Sequence, residues 1–250
     1  MKRAAIIQSC YIPWKGYFDI INSVDEFVLY DDAQYTKNDW RNRNLIKVPS
    51  GTLWLTIPVG ISRRFGQAVR EVPVRDGRWA RRHWKSLRTY YARAHHFDEF
   101  SSRLDALYDQ AQREDLLTNV NELFIRAICE WLGISTRISR SSEYACQGDR
   151  TERLVSLCHQ LAAEEYLTGP AARNYLDEGQ FLRSGIRVRW MDYGGYPVHR
   201  QRYSPPFIHQ VSILDLLLNE GAAGAREFLL STPESRATPC VAEVSCSSPL

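Results

Sequence analysis

The chain has 250 residues, a formal net charge of +3 and 44% apolar residues. This composition excludes a disordered or low-complexity protein, because such chains lack the apolar side chains that offset the entropy of ordering. No run of about 18 apolar residues occurs, so we expect no membrane span. The apolar stretch at 4–7 is too short for a signal peptide, and none of the six cysteines forms a C-x-x-C pair. We therefore expect a cytoplasmic protein with reduced thiols.

Apolar periodicity predicts strands and a helix in the first part of the chain, followed by a helical middle part. The predicted elements are a strand at 4–8, a helix at 17–23, a strand at 26–30, and a hairpin with strands at 45–48 and 52–59. Helical spacing begins at Trp79. Within the helical part (76–133), an amphipathic helix at 116–131 is followed by Gly133, the usual residue of a helix C-terminus.

Strands and helices alternate in the second half. The predicted elements are strands at 134–139, 165–168 and 186–191, a helix at 152–163 with Asp149 and Glu152 as a capping pair, and a helix at 211–219 ended by Gly221. This order predicts an α/β fold with a mainly parallel or mixed sheet flanked by helices, and with a helical middle layer. We expect a single domain over 1–230 and a disordered Ser/Thr/Pro-rich tail over 231–250.

Standard catalytic and cofactor motifs are absent. The chain contains no G-x-G-x-x-G, G-x-x-x-x-G-K-[ST], H-E-x-x-H or G-x-S-x-G. Their absence disfavours a Rossmann dehydrogenase, a P-loop NTPase, a zincin and an ordinary α/β-hydrolase. His95 and His96 are adjacent and point in different directions on a helix, so they are a poor ligand pair. We expect neither a metal site nor a cofactor.

A first polar and aromatic cluster lies between the first strand and the first helix. It contains Gln8, Cys10, Tyr11 and Trp14. Ligands of open α/β sheets bind beyond the carboxyl ends of the strands, and a helix N-terminus favours anions and lowers the pKa of a nearby thiol. The cluster therefore predicts a ligand site, with a simple turn packed by aromatic residues as the alternative.

A second cluster follows the strand at 26–30 and mixes both signs of charge. Its candidate binding residues are Asp31, Asp32, Lys37, Trp40, Arg41, Arg43 and Asn44. Such a set holds a zwitterion, or orients a carboxylate or phosphate through bidentate arginine contacts. The alternative is a salt-bridged surface loop.

A third feature is a basic stretch in which ten Lys or Arg residues, from Arg63 to Arg93, accompany only two acidic residues. The pI of 8.5 is below the level of about 9 that is typical of nucleic-acid-binding domains. We therefore expect no nucleic acid. The stretch is either a solvated helix face or a surface for an anionic small molecule or a carrier protein.

The last cluster surrounds the start of the final helix. His209 lies in the loop before it and is the natural general-base candidate, although a structural histidine is an equal alternative. Ser212 and Asp215 have the spacing of a helix cap. Asn219 follows one turn later.

Several strings along the chain, some of them within these clusters, together resemble the WbqC-like protein family over residues 4–229. The matching strings are IIQ (6–8), YIPW (11–14), GYFD (16–19), DDAQYTK (31–37), WRNRN (40–44), WLTIPV (54–59), TERL (151–154), EYLTGPAA (165–172) and VSILDLL (211–217). The resemblance implies a bacterial protein encoded among O-antigen, polysaccharide or natural-product genes, with a suggested glycine or aminoacyl transferase role. The family often has Asn where this chain has Cys10, and Leu-Phe-Asn-Cys-Gly where it has LLNEG (217–221), so Asn219 is retained.

We hypothesise an acyl or aminoacyl transferase that passes its group from an activated donor, such as a thioester, to an amine on a sugar or small metabolite. His209 would be the general base, Asp215 or Asp31 would orient it or bind the ammonium, and Cys10 would carry the acyl group in a covalent variant. The remaining candidates are oxyanion donors at Gln8, Asn44 and the Tyr11 backbone, anion ligands Lys37, Arg41 and Arg43, and substrate contacts Trp14, Asp32, Trp40 and Asn219.

The expected partners of this transferase are a small-molecule acceptor and an acyl donor, the latter free or on a carrier protein. Two alternatives stay open. One is a non-catalytic binding or scaffold protein of polysaccharide assembly, and the other is a thioesterase-like hydrolase.

Overall fold

A computed structural model describes residues 1–61, 66–145 and 148–231 as a mixed α/β fold. Its strands are β1 (Arg3–Ile7), β2 (Glu26–Leu29), β3 (Arg43–Val48), β4 (Gly51–Thr56), β5 (Arg137–Arg140), β6 (Glu165–Thr168) and β7 (Arg187–Trp190). Its helices are α1 (Lys15–Asn22), α2 (Arg78–Tyr91), α3 (Phe97–Ala111), α4 (Leu117–Trp131), α5 (Arg150–Gln160), α6 (Glu178–Arg183) and α7 (Ile213–Ala225).

Within the described residues, the main sheet has five strands in the order β5-β2-β1-β6-β7, and every neighbouring pair is parallel. The predicted mainly parallel sheet is therefore confirmed. The chain first builds outward from β1 to β2 and β5, and then returns to build β6 and β7 on the other side. Strand order thus reverses between β1 and β6, where ligands of such sheets usually bind.

The central strands each contain adjacent apolar residues because both faces of the sheet are covered. Their polar end residues, such as Arg3, Glu26 and Glu165, are buried as well. Phe27 and Leu29 of β2 enter one hydrophobic core, whereas Val28 between them enters the other. Helices α1 to α4 and α7 pack on the first face, and α5 and α6 pack on the second. Cys129 and Cys158 are buried in these two cores, and burial raises the pKa of each thiol to about 12.

The predicted helical middle layer is confirmed, and it contains a helix that periodicity missed. Helix α2 ends at Tyr91, and α3 begins at Phe97, directly after the adjacent His95 and His96. Asp98 and Glu99 lie in the first turn of α3, where carboxylates interact favourably with the helix dipole.

Local signals located the ends of several elements correctly. Residue Gly133 has a φ of +66° just after α4, and Asp149 and Glu152 form the capping box of α5. Ser212 caps α7 by accepting from the Leu214 amide. Gly221, with a φ of +74° and a ψ of 173°, interrupts the helical backbone within α7.

Some predictions lie outside the described residues. They concern the tail after Ser231, Arg63 and Arg64 of the basic stretch, and Cys146, Cys240 and Cys246. In the part of the chain that the structure describes, no helix is both long and apolar enough to cross a membrane.

The capping box of α5 gives a stability prediction. Asp149 accepts from the amides of Thr151 and Glu152 at 2.8 and 2.9 Å. We expect Asp149→Ala to lower the free energy of unfolding in urea by about 1 kcal/mol, because two amides lose their acceptor. Asp149→Asn is the matched control and should stay within about 0.5 kcal/mol of the parent, since Asn caps as well as Asp. Equal losses in both variants would contradict the capping role.

Candidate functional site

A cavity of about 380 Å³ opens beyond the carboxyl end of β1. Its lining residues are Cys10, Pro13, Trp14, Tyr17, Trp40, Asn44 and Gln210. The ring of Trp14 contacts the ring of Tyr193, which follows β7. A side chain at Gly169, just after β6, would meet the Tyr193 hydroxyl. This Cys10 cavity therefore adjoins the place where strand order reverses. It brings together Cys10, Trp14, Trp40 and Asn44 from the two N-terminal clusters.

A charged hydrogen bond dominates the cavity. Nη1 of Arg41 donates to Sγ of Cys10 at 2.8 Å, and both residues are largely buried. Burial raises the pKa of the Cys10 thiol above its ordinary value, and the Arg41 charge opposes that rise. Nε of Arg41 is buried with no hydrogen-bond partner among the described residues. Arg41 is therefore placed to stabilise negative charge on this sulfur or beside it.

Asp31 holds the loop that carries Cys10 in place through hydrogen bonds. Its carboxylate accepts from the Ser9 amide at 2.8 Å and from the Thr118 hydroxyl. Asn121 of α4 donates to the Ser9 hydroxyl and to the Arg41 carbonyl. Burial raises the pKa of Asp31. The structure thus gives Asp31 an anchoring position under the loop, with no contact to either His209 or His199 among the described residues.

The groups predicted as oxyanion donors already have acceptors within the protein. The Tyr11 amide donates to the Trp40 carbonyl at 3.1 Å, and Gln8 donates to the Gln34 carbonyl at 3.0 Å. Asn44 uses its amide to hold the carbonyls of Tyr11 and Ile12. These bonds shape the loop around Cys10. Arg41 is then the donor group that remains directed at the sulfur.

The other residues of the second cluster lie at the cavity rim or away from it. Asp32 pairs with Arg70 at 2.6 Å and accepts from the Ser141 hydroxyl. Arg43 stacks over the Trp54 ring at 4.2 Å, and Lys37 is exposed.

The side chain of Tyr11 points away from the cavity into the core. Its hydroxyl bonds to His83 and to Tyr108 at 2.9 Å each. The Tyr11 side chain is therefore not available to a ligand in the cavity, and its backbone amide is already bonded to the Trp40 carbonyl.

Asp215 is fully buried and holds a different histidine from the predicted one. His199 Nε2 lies 2.9 Å from its Oδ2, Gln201 donates to the same oxygen at 2.8 Å, and Tyr91 donates to Oδ1 at 2.8 Å. The predicted orientation of His209 by Asp215 is thus not found. Nor does Asp215 act as a capping-box carboxylate, because its oxygens bind these side chains. Asn219 donates to the Asp215 carbonyl inside α7, at 2.7 Å, and supports the helix.

His209 lies in the irregular loop 191–212, next to Gln210 of the cavity wall. It is half-buried, and its Nδ1 is buried without a partner among the described residues. Burial lowers its pKa, and the nearby charges of Lys15 and His199 lower it further. His209 is therefore neutral at pH 7, the form in which an imidazole accepts a proton.

Lys15 is a buried cation that the sequence analysis missed. Its Nζ donates to the Pro197 carbonyl at 3.0 Å and lies 4.8 Å above the Tyr196 ring. Burial lowers its pKa to about 8, although Asp19 and Asp215 act in the opposite direction. Lys15 and His199 carried no sequence signal, since neither burial nor a partner in an irregular loop is visible in a pattern.

The described part of the basic stretch is partly neutralised on the surface. Arg81 pairs with Asp105 and Asp109 of α3, and Arg78 pairs with Asp76. Exposed pairs of this kind are typical of a solvated helix face. Among the described residues, no group of three His, Cys, Asp or Glu side chains could hold a metal ion.

The Lys15–His209 interaction gives a prediction about pKa. We expect Lys15→Met to raise the pKa of His209 towards 6.5, because an ammonium that opposes imidazolium formation is removed. NMR titration of the histidine Cε1–H signals, assigned with His209→Gln, measures this change. Lys85→Met, at an exposed position of α2, is the control and should leave the pKa of His209 unchanged. A His209 pKa that stays constant or falls in Lys15→Met would contradict the interaction.

The Arg41–Cys10 bond gives a prediction about reactivity. Alkylation of Cys10 by iodoacetamide should accelerate with pH to beyond pH 9, because the raised thiol pKa keeps thiolate scarce at neutrality. Arg41→Gln should slow the reaction at each pH, because removing the cation raises this pKa further. Arg43→Gln is the control, because the Arg43 side chain contacts Trp54 and not Cys10. Peptide mass spectrometry separates Cys10 from the other cysteines. Equal rates in the Arg41 variant and the parent would show that Arg41 does not stabilise the thiolate.

Comparison with known proteins identifies the family. The family model described as WbqC-like protein family matches residues 8–227. The uncharacterized protein Rv1507c of Mycobacterium tuberculosis (strain ATCC 25618 / H37Rv) is 49% identical over 222 residues, which cover 89% of this chain and 95% of that protein. No solved structure gives a significant match. The resemblance of the sequence strings is confirmed, and the chain belongs to the WbqC-like protein family.

Proposed function

We propose that this protein is an acyl or aminoacyl transferase that forms an amide on the amine of a sugar or small metabolite. The observation that carries the proposal is the Arg41–Cys10 contact inside the cavity. A buried thiol beside an arginine, with aromatic walls and an open mouth, suits a covalent acyl intermediate.

In the first step, the Cys10 sulfur attacks the carbonyl carbon of an acyl thioester. A new thioester forms on Cys10, the carbon–sulfur bond of the donor breaks, and the Cys10 proton leaves with the departing thiol. Negative charge develops on the carbonyl oxygen during this exchange. Arg41, whose Nη1 already faces the sulfur and whose Nε lacks a partner among the described residues, supplies the stabilising charge.

In the second step, the acceptor amine attacks the acyl-Cys10 carbonyl. The new bond is an amide, and the broken bond is the Cys10 thioester. His209 takes the proton that the amine nitrogen loses, and the proton then returns to the Cys10 sulfur. The lowered pKa of His209 supports this role, because it keeps the imidazole neutral and able to accept a proton.

The family resemblance supports a biological setting in O-antigen, polysaccharide or natural-product biosynthesis. An amine-bearing sugar is an acceptor that fits such a setting. The donor is a thioester, either small or attached to a carrier protein.

The proposal predicts a covalent adduct and a new product. The purified chain, incubated with a panel of aminoacyl and acyl thioesters, should gain the mass of the acyl group on Cys10. Addition of an amino sugar should release that mass as an amide. Cys10→Ala should abolish the adduct, whereas Cys129→Ala, a change at a buried core thiol, should keep it. His209→Gln should slow amide formation by about 10²-fold or more, with the adduct still formed.

Other outcomes would overturn the proposal in distinct ways. Release of free acid that no amine diverts would indicate the hydrolase alternative. Tight ligand binding without an adduct or product from any donor would indicate the binding-protein alternative. An adduct on another cysteine, retained in Cys10→Ala, would remove the assigned nucleophile.

A further inference from the structure

Two tryptophans form an exposed aromatic surface at the mouth of the Cys10 cavity. Trp40 is 40% exposed and Trp54 is 42% exposed. Their ring centroids are 5.4 Å apart. Trp40 also lines the cavity, so the aromatic surface continues from the interior to the rim. Paired exposed aromatic rings that continue into a cavity offer a planar surface on which a ligand can stack.

One cation contacts this aromatic pair, and a second lies nearby in the sequence. The guanidinium of Arg43 covers the Trp54 ring at 4.2 Å and is held by the Asn38 carbonyl. Lys37 is exposed and lies, like Trp40, in the loop before β3. The neighbouring carboxylate of Asp39 is engaged by the Trp40 amide at 2.7 Å and lies 3.7 Å from Arg41. The rim therefore offers flat aromatic rings together with positive charge.

The size of the cavity separates two parts of a ligand. At about 380 Å³, it is near the lower end of the range of about 300–1,000 Å³ for small-molecule sites. It accommodates a group of monosaccharide size more readily than a whole nucleotide. A larger acceptor would have to extend across Trp40 onto the rim. Its outer part would then meet the tryptophan rings and the two cations.

We propose that the Trp40–Trp54 surface, with Arg43 and Lys37, binds the nucleoside diphosphate of a nucleotide-linked acceptor. The base stacks on the Trp40 ring beside Trp54, whose own ring is covered by Arg43. The diphosphate pairs with the cations, and the attached amine-bearing group enters the Cys10 cavity. Crevices at a reversal of strand order in α/β sheets commonly take nucleotides. Only the identification of this ligand as the acceptor rests on the proposed transferase function.

Neutral sugars fit the rim less well than a nucleoside diphosphate. Sugar hydroxyls are usually held by carboxylate or amide groups, and the Asp39 carboxylate at the rim is already engaged. A planar base and a diphosphate, in contrast, match the two features that the rim presents, which are aromatic faces and positive charge.

The test measures binding to the full chain in its Cys10→Ala form, so that no turnover contributes. Uridine and guanosine diphosphates are the probes, with the corresponding nucleosides and pyrophosphate as partial ligands. Calorimetry and tryptophan fluorescence report binding. We expect the diphosphates to bind and to quench fluorescence, with affinity that falls as salt increases. Trp54→Ala and Arg43→Gln should each weaken diphosphate binding about tenfold, and Arg43→Gln should hardly affect the nucleoside.

A matched control exists elsewhere on the surface. Tyr175 is 49% exposed and is covered by the Arg150 guanidinium at 4.7 Å, so it repeats the aromatic–arginine pair outside the site. Tyr175→Ala and Arg150→Gln should leave binding unchanged. Circular dichroism of each variant verifies that it is folded.

Three results would overturn this proposal: no binding of any diphosphate, equal binding by pyrophosphate alone, or equal losses in the control variants. Binding of a neutral oligosaccharide in place of the diphosphates would also overturn it. The transferase hypothesis is tested separately by the Cys10 adduct. Diphosphate binding without an adduct would support the nucleotide site and refute the transferase proposal. An adduct without diphosphate binding would support the transferase proposal and refute the nucleotide site.

Discussion

The arrangement of α2, α7 and loop 191–212 depends on the hydrogen bonds of the buried Asp215 carboxylate. The carboxylate has no exposure to solvent and is satisfied by Tyr91 of α2 and by His199 and Gln201 of loop 191–212. An ionised carboxylate without such donors would be strongly destabilised in the interior. The requirement to satisfy Asp215 therefore ties an irregular loop to two helices. That loop carries His209 and Gln210, so the hydrogen bonds of Asp215 help to position the part of the cavity wall that Gln210 forms.

Asp31 has a similar role in the loop that carries Cys10. It fixes the Ser9 amide and the Thr118 hydroxyl, and thereby sets the backbone that carries Cys10. Both carboxylates that the sequence offered as catalytic groups are thus engaged in holding loops. The proposed function therefore assigns the chemistry to Cys10, which lines the cavity, and to Arg41 and His209, each of which has a buried nitrogen without a partner among the described residues.

The sequence predicted the architecture well, and it predicted individual contacts poorly, for a physical reason. Strands such as β2 are visible because burial on both faces favours a run of adjacent apolar residues, as from Phe27 to Leu29. Gly133 and Asp149 act within a few residues of their own position. The clusters around Cys10 and Trp40 were found because loops after parallel strands meet at one edge. The partner of Asp215 was missed because His199, sixteen residues away, lies in a loop without periodicity. The burial of Lys15 likewise depends on Tyr196 and Pro197, which no local pattern brings near it.

Burial shifts the pKa values of the acidic thiol and of the basic side chains near the Cys10 cavity in opposite directions. It raises the pKa of Cys10 and lowers the pKa values of His209 and Lys15. The resting site therefore favours a neutral thiol and a neutral imidazole over a thiolate–imidazolium pair. Arg41 is then the main fixed charge in contact with the sulfur. Under the proposed function, a donor that brought a polarisable carbonyl next to Arg41 would create the negative charge that this cation can stabilise, so charge would develop only when the donor is bound. Such an arrangement would protect the thiol from adventitious reaction and couple its reactivity to occupancy of the cavity.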